Sequence, residues 1–154
     1  MERENTKEFF ETLGEICRDI AAIEFLMRCA LAQKEGDISN FPKPPYKKGD
    51  KHSVYPRSFS ITYFSEVVKE FNKKFPDFVI PGELIEFRNA LAHGFIAEIN
   101  SCGTDELVKF KKTKNGILET EFFLPLELSR MKQLRQSIRE VRKNVMQKAR
   151  DKNQ

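Results

Sequence analysis

The chain has 154 residues, 27 Lys and Arg against 23 Asp and Glu for a net charge of +4 at pH 7, and a 40% hydrophobic share. That length and balance fit one globular domain, 1–154, and exclude a disordered, fibrous or disulfide-rich class. No apolar run approaches the roughly 18 residues of a membrane span, and the charged start MERENTKEFFE lacks a signal-peptide core, so a cytoplasmic protein with no membrane association is expected.

Cys17, Cys29 and Cys102 make an odd number without metal-ligand spacing and read as reduced, partly buried thiols. There are 14 phenylalanines and no tryptophan, so phenyl rings must fill the core, and a surplus could serve a subunit interface.

Asn5 or Thr6 is expected to cap the first helix. Phe9, Leu13, Ile16, Ile20, Ile23, Met27 and Ala30 then recur at alternating spacings of four and three, one apolar stripe widened by Phe10, Cys17 and Leu31. Gly36 supplies a left-handed cap. A helix with this repeat packs in a bundle core or along a dimer seam.

Residues 37–57 form a basic, proline-rich connector with Pro42, Pro44, Pro45 and Pro56. It interleaves Lys43, Lys47, Lys48, Lys51 and Arg57 with Phe41, Tyr46 and Tyr55, a pattern that suits single-stranded nucleic acid as well as a plain linker. His52 reads as an ordinary loop histidine.

Ser58 or Ser60 is expected to open a second helix with Ile61, Phe64, Val68, Phe71 and Phe75 as its stripe, stopped by Pro76. Pro81 fits the first turn of the next helix, which Leu84, Ile85, Phe87, Leu91 and Ala92 bury and Gly94 ends. FIAEI (95–99) reads as a short strand. A hairpin over 106–124 turns at Asn115-Gly116, which sets Lys112 opposite Glu119, Lys111 opposite Thr120 and Val108 opposite Phe123. Pro125 then opens the last helix, with Met131, Leu134, Ile138, Val141 and Val145 inward. Its Lys and Arg residues either draw phosphates or form a solvated face. The expected fold is mainly α, a bundle of about four helices with the hairpin inserted before the last one.

Chemistry concentrates in Arg88-Asn89-x-x-x-His93. At 100° per residue Asn89 and His93 lie about 40° apart on a helix, whereas Arg88 and His93 diverge by about 140°. One helix is therefore a poor cleft, but two copies meeting across a two-fold axis could combine both sets, with Phe87, Leu91 and Phe95 lining the contact. The residue types suit phosphodiester cleavage of RNA without a metal or cofactor. Histidine moves a proton at the 2′-hydroxyl or the leaving oxygen, arginine holds the phosphate, and asparagine orients the imidazole or binds a phosphate oxygen. The products would be 2′,3′-cyclic phosphate and 5′-hydroxyl ends. The structural alternatives are an Arg88 ion pair with Glu83 or Glu86 and a His93 that caps its own helix.

FRNALAHGF (87–95) also resembles the signature of the HEPN superfamily (higher eukaryotes and prokaryotes nucleotide-binding), whose ribonuclease members carry R-x(4–6)-H, often with Asn after the Arg. The resemblance covers about nine residues closely. It implies an α-helical bundle, often a homodimer with the motif at the subunit interface, and metal-independent endoribonuclease activity in toxin–antitoxin or antiviral defence. Arg88 and His93 would then be catalytic, Asn89 supporting, and an antitoxin protein a possible partner. Toxins of one branch carry a tyrosine two residues after the histidine, which a nucleotidyltransferase antitoxin modifies. Phe95 stands there in this chain and argues against that mode of neutralisation. Some superfamily members bind RNA, a nucleotide or a protein without catalysis, which is the alternative reading.

Overall fold

A 33-residue helix, α1 (Glu2–Lys34), opens the chain. The computed structural model describes residues 2–36, 45–51, 55–97 and 105–150, with side chains described from residue 6 onward. Phe41, Pro42, Lys43, Pro44, His52, Cys102 and the last two residues of the expected strand 95–99 lie outside the described residues. After α1 come α2 (Arg57–Ser60), α3 (Phe64–Lys74), α4 (Gly82–His93), β1 (Phe95–Ala97), β2 (Glu106–Lys112), β3 (Leu118–Pro125) and α5 (Leu128–Arg150). The chain is thus mainly helical, with a three-stranded antiparallel sheet of order β1-β2-β3 before the last helix. It divides into two compact units, Met1–Cys17 with Pro81–Ser137 and Arg18–Ile80 with Ile138–Gln154. No helix among the described residues is long and apolar enough to cross a membrane.

In the first unit the core gathers Ile16 of α1, Leu84, Phe87 and Ala90 of α4, Leu107 and Val108 of β2, Leu126 and Met131. Lys132 pairs with Glu8 at 2.5 Å and Arg135 with Glu15 at 2.8 Å, so α5 spends cations on the acids of α1. Helix α1 already runs through Asn5 and Thr6, so neither is its cap. Phe10 and Cys17, expected on the apolar stripe, are exposed. They sit at its margin, where stripe positions around Phe9 and Leu13 are themselves only half-buried. In α4, Ala90 is buried and Ala92 exposed, the reverse of the expectation for Ala92, because position 92 lies well over 90° from the Phe87 direction. Pro81 is the N-cap rather than part of the first turn.

The sheet corrects the hairpin register. The turn closes with three residues, not two: Thr113 N–H donates to Ile117 O at 2.9 Å, Gly116 N–H donates to Thr113 O at 3.0 Å, and Gly116 takes φ +76°. Thr113 Oγ1 also accepts from Ile117 N–H at 3.1 Å. With one residue more in the loop, Lys112 faces Leu118 and Lys111 faces Glu119. A bulge between Lys109 and Phe110 leaves Glu121 as the extra residue on β3 and restores Val108 opposite Phe123, as expected. Pro125 closes β3 opposite Glu106 instead of opening α5. An edge strand tolerates proline because its outward N–H needs no partner. Leu126 N–H then donates to Asp105 O at 2.7 Å.

In the second unit Ile20, Ile23, Met27 and Leu31 of α1 meet a core with Phe64, Val67, Val68 and Phe71 of α3 and Ile138 and Val145 of α5. Val141 is only half-buried, and so, in the first unit, is Leu134. Gly36, at φ +80°, terminates α1 as expected. The expected second helix is broken in two. Arg28 Nη1 donates to Ser58 O at 2.6 Å and Ile61 O at 2.9 Å, taking carbonyls that a continuous helix would use, while Ile61 and Tyr63 turn extended. Neither Ser58 nor Ser60 opens α3. Its N-cap is Tyr63. Asn72 Oδ1 accepts from Ile80 N–H at 2.8 Å and fastens the chain leaving α3.

Candidate functional site

The motif residues all lie on α4, in the first unit. Leu84, Phe87 and Ala90 are its buried line, because residues three apart share a face. Taking Phe87 as the inward direction, 100° per residue places Arg88 about 100° to one side and His93 about 120° to the other. Asn89 falls on the outward side within about 40° of His93. The helix thus brings Asn89 and His93 onto one flank and sets Arg88 on the opposite flank. Arg88 and Asn89 are half-buried, and His93 is exposed in the last turn. Phe87 is only 3% exposed, so it belongs to the core and cannot line a contact with a second copy.

Gly94 fixes where that last turn goes. Its N–H donates to Ala90 O at 2.7 Å, closing the helix. A Cβ there would stand 2.5 Å from both Ala90 O and Val108 O. The helix end therefore meets the β2 backbone with room for hydrogen only. Its φ of −95° shows that space, not a left-handed conformation, demands the glycine. The chain then enters β1, where Phe95 pairs with Val108 and Ile96 with Leu107. His93 is thereby seated two residues from the sheet.

The sheet's two faces differ. Paired residues share a face, so Phe95, Val108 and Phe123 lie together, and Phe110 joins them two residues along β2. Val108 is buried, but Phe95, Phe110 and Phe123 are 65%, 41% and 52% exposed. The rings of Phe95 and Phe110 stand 6.4 Å apart. On the other face Lys109 pairs with Glu121 at 2.6 Å and Lys111 with Glu119 at 3.2 Å. The Glu121 carboxyl is held below the usual range chiefly by the hydrogen bond from Lys109. The exposed aromatic face was missed in the sequence, because the bulge breaks the alternation that would have revealed it.

The connector residues belong to the second unit. Lys47, Lys48 and Lys51 are exposed around a formed turn: Lys47 N–H donates to Asp50 Oδ2 at 2.8 Å, Asp50 N–H donates to Lys47 O at 3.0 Å, and Gly49 has φ +94°. Tyr46 anchors it edge-on to Phe25 at 6.5 Å. Arg57 starts α2, exposed, 3.6 Å from Glu70. Also in this unit, Asp19 is fully buried, 2.7 Å from Arg142 and 3.6 Å from Arg139. An acid three residues after Ile16, on the stripe side of α1, was the signal for it. Cys29 is buried, and that burial pushes its thiol up to about 12, which leaves it unsuited as a nucleophile. Among the described residues no group of three or more His, Cys, Asp or Glu is placed to hold a metal ion.

Comparison with known proteins supplies no relative: no family model, no curated protein and no solved structure matches the chain.

Proposed function

We propose that the protein is a metal-independent endoribonuclease of HEPN type that acts as a homodimer, with Arg88, Asn89 and His93 at its site. The carrying observation is the exposed His93 with Asn89 on one outward flank of α4, in a helix that also bears Arg88. Imidazole is the side chain whose proton moves most readily near neutral pH. His93 takes the 2′-hydroxyl proton as the 2′-oxygen bonds to phosphorus and the bond from phosphorus to the 5′-oxygen breaks, or it protonates that departing oxygen. The fork of Arg88 holds the phosphate and its growing charge, and Asn89 orients the imidazole. Because Arg88 lies on the far flank, the second copy supplies the arginine or the histidine that one helix cannot. RNA is the substrate class, since only RNA carries the internal nucleophile. A role in toxin–antitoxin or antiviral defence, with a protein antitoxin and a cytoplasmic site of action, is proposed from the HEPN resemblance alone.

The test is cleavage of mixed RNA in EDTA by wild type, Arg88→Ala and His93→Ala proteins of equal thermal stability. Each substitution is expected to slow cleavage by about 10²–10⁴-fold, and the wild type should leave cyclic phosphate ends. Equal behaviour of all three would sink the catalytic reading. A second reading, a non-catalytic RNA-binding module, is favoured by the formed basic turn at Lys47, Lys48 and Lys51 with Arg57 nearby in sequence.

A further inference from the structure

The exposed face of the sheet carries three phenylalanines that packing among the described residues leaves open. Each of Phe95, Phe110 and Phe123 leaves roughly half its surface to solvent. They surround Val108 on three neighbouring strands about 5 Å apart, so the rings spread over about 10 Å rather than forming one contact point. Leu118, opposite Lys112 further along the same face, is 68% exposed and extends the surface toward the turn. Exposed apolar groups in a contiguous patch mark a surface with a ligand, whereas single ones need no explanation.

We infer that this face is a stacking platform for the bases of the RNA strand that enters the His93 site; the inference rests on the reading of RNA as substrate. Three observations favour RNA bases over a protein partner. First, the platform is continuous with the candidate site: Phe95 follows His93 by two residues, so their α-carbons lie within about 7 Å. Second, the exposed patch is built mainly of rings, and any base can stack on a phenyl face whatever its identity. Third, the sheet sorts its charge. Both acids within β3, Glu119 and Glu121, pair with Lys111 and Lys109 across the opposite face. The aromatic face carries Lys112 toward the turn, with Glu106 only at the far end of β2. A polyanion laid along the rings meets no β3 carboxylate there. Unpaired bases held on the rings would leave the sugar–phosphate backbone beside the imidazole. Duplex RNA keeps its bases stacked on one another, so the platform selects single strands.

The experiment measures binding of a fluorescein-labelled single-stranded RNA in the His93→Ala background, where the strand is not cut. Phe95→Leu, Phe110→Leu and Phe123→Leu, singly and together, keep an apolar side chain but remove the ring. Each is expected to weaken binding about tenfold, within the range for loss of one stacked base, with no change in the salt slope, since no phosphate contact is lost. Unaltered affinity in the triple variant would overturn the inference, as would absence of any RNA binding. So would a protein-interface result: RNA affinity intact while Phe110→Asp converts a dimer to a monomer in light scattering. Equal melting temperatures, with Phe→Tyr variants that keep the ring retaining affinity, exclude a folding defect. Cleavage by protein with His93 intact is scored separately. Binding that depends on the rings without cleavage sinks only the nuclease reading, and cleavage indifferent to the rings sinks only the platform.

Discussion

At the scale of single residues, the position that controls the site is not one of its chemical groups. Gly94 lies between the end of α4 and the backbone of β2, and both atoms that a methyl would strike are main-chain carbonyl oxygens. Neither can rotate away as a side chain could, so the helix end or the strand must move. Gly94→Ala is expected to cost about 1–3 kcal/mol, the range for forcing a methyl group into a filled site. Thermal unfolding checks it, and an unchanged melting temperature would show that the helix end has slack. The glycine was legible in the sequence as a helix stop, and so was the angular conflict between Arg88 and His93. What was not legible is why only glycine fits, because the crowding comes from Val108, fourteen residues away in the chain.

At the scale of elements, local spacing located most helices and misjudged their ends. The apolar stripes of α1 from Ile16 onward and of α3 from Phe64 to Phe71 are where the four-three spacing put them, while Phe9, Leu13 and Ile61 are only half-buried. The break between α2 and α3 has no signal in its own residues, because a side chain from another helix makes it. Arg28 bonds two carbonyls there and also pairs with Glu24 at 2.9 Å, while Ser58 Oγ donates back to Arg28 O at 2.8 Å. Replacing Arg28 with Met would leave the Ser58 and Ile61 carbonyls without their donor and Glu24 without its cation. The expected loss is about 2–3 kcal/mol. Arg28→Lys should recover only part of it, since Nη1 serves both carbonyls while Nη2 reaches Glu24, and the single ammonium nitrogen cannot stand in both places. Melting temperatures of the two variants test this, and a full rescue by lysine would show that charge alone matters. The hairpin tells a similar story. Asn115-Gly116 placed the turn correctly, but loop length depended on Thr113 and Ile117, which the dipeptide signal ignores.

At the scale of the whole molecule, the cations of α5 join it to acids distant in the chain. The basic run on α5 suggested a phosphate-binding face, yet Lys132, Arg135, Arg142 and Lys148 each meet an acid. These cations are neither left to phosphates nor simply solvated, and acids far away in sequence explain why the run alone misled. One of these pairs gives stability a pH dependence. The Asp77 carboxyl is held below its ordinary 3.8, first by the hydrogen bond from Lys148 and then by the Lys148 and Lys34 charges. A carboxyl depressed in the folded state binds its proton more readily in the unfolded chain. Its stabilising contribution is therefore present above pH 3.8 and is lost as the pH falls through the lower folded value. The melting-temperature gap between wild type and Asp77→Asn should close on acidification over that window. The gap will be small, because the pair is exposed. A gap independent of pH would remove the pair from the account.

The bulge at Glu121 takes up one residue without disturbing the pairing on either side of it. Side chains alternate with a period of two along a strand, so every paired residue has its face fixed by its place in the ladder. Thr120 stands opposite Phe110 and Phe122 opposite Lys109, with Glu121 between them unpaired. Loss of Glu121 alone would join Thr120 to Phe122 in an unbroken ladder and leave Phe123 opposite Val108, on the face of Phe95 and Phe110. Loss of Phe122 as well would bring Phe123 opposite Lys109 and turn the outer half of β3 inside out. Along this strand, then, the number of residues matters as much as their identity: the ladder absorbs the loss of the one residue it does not pair, and not of a second.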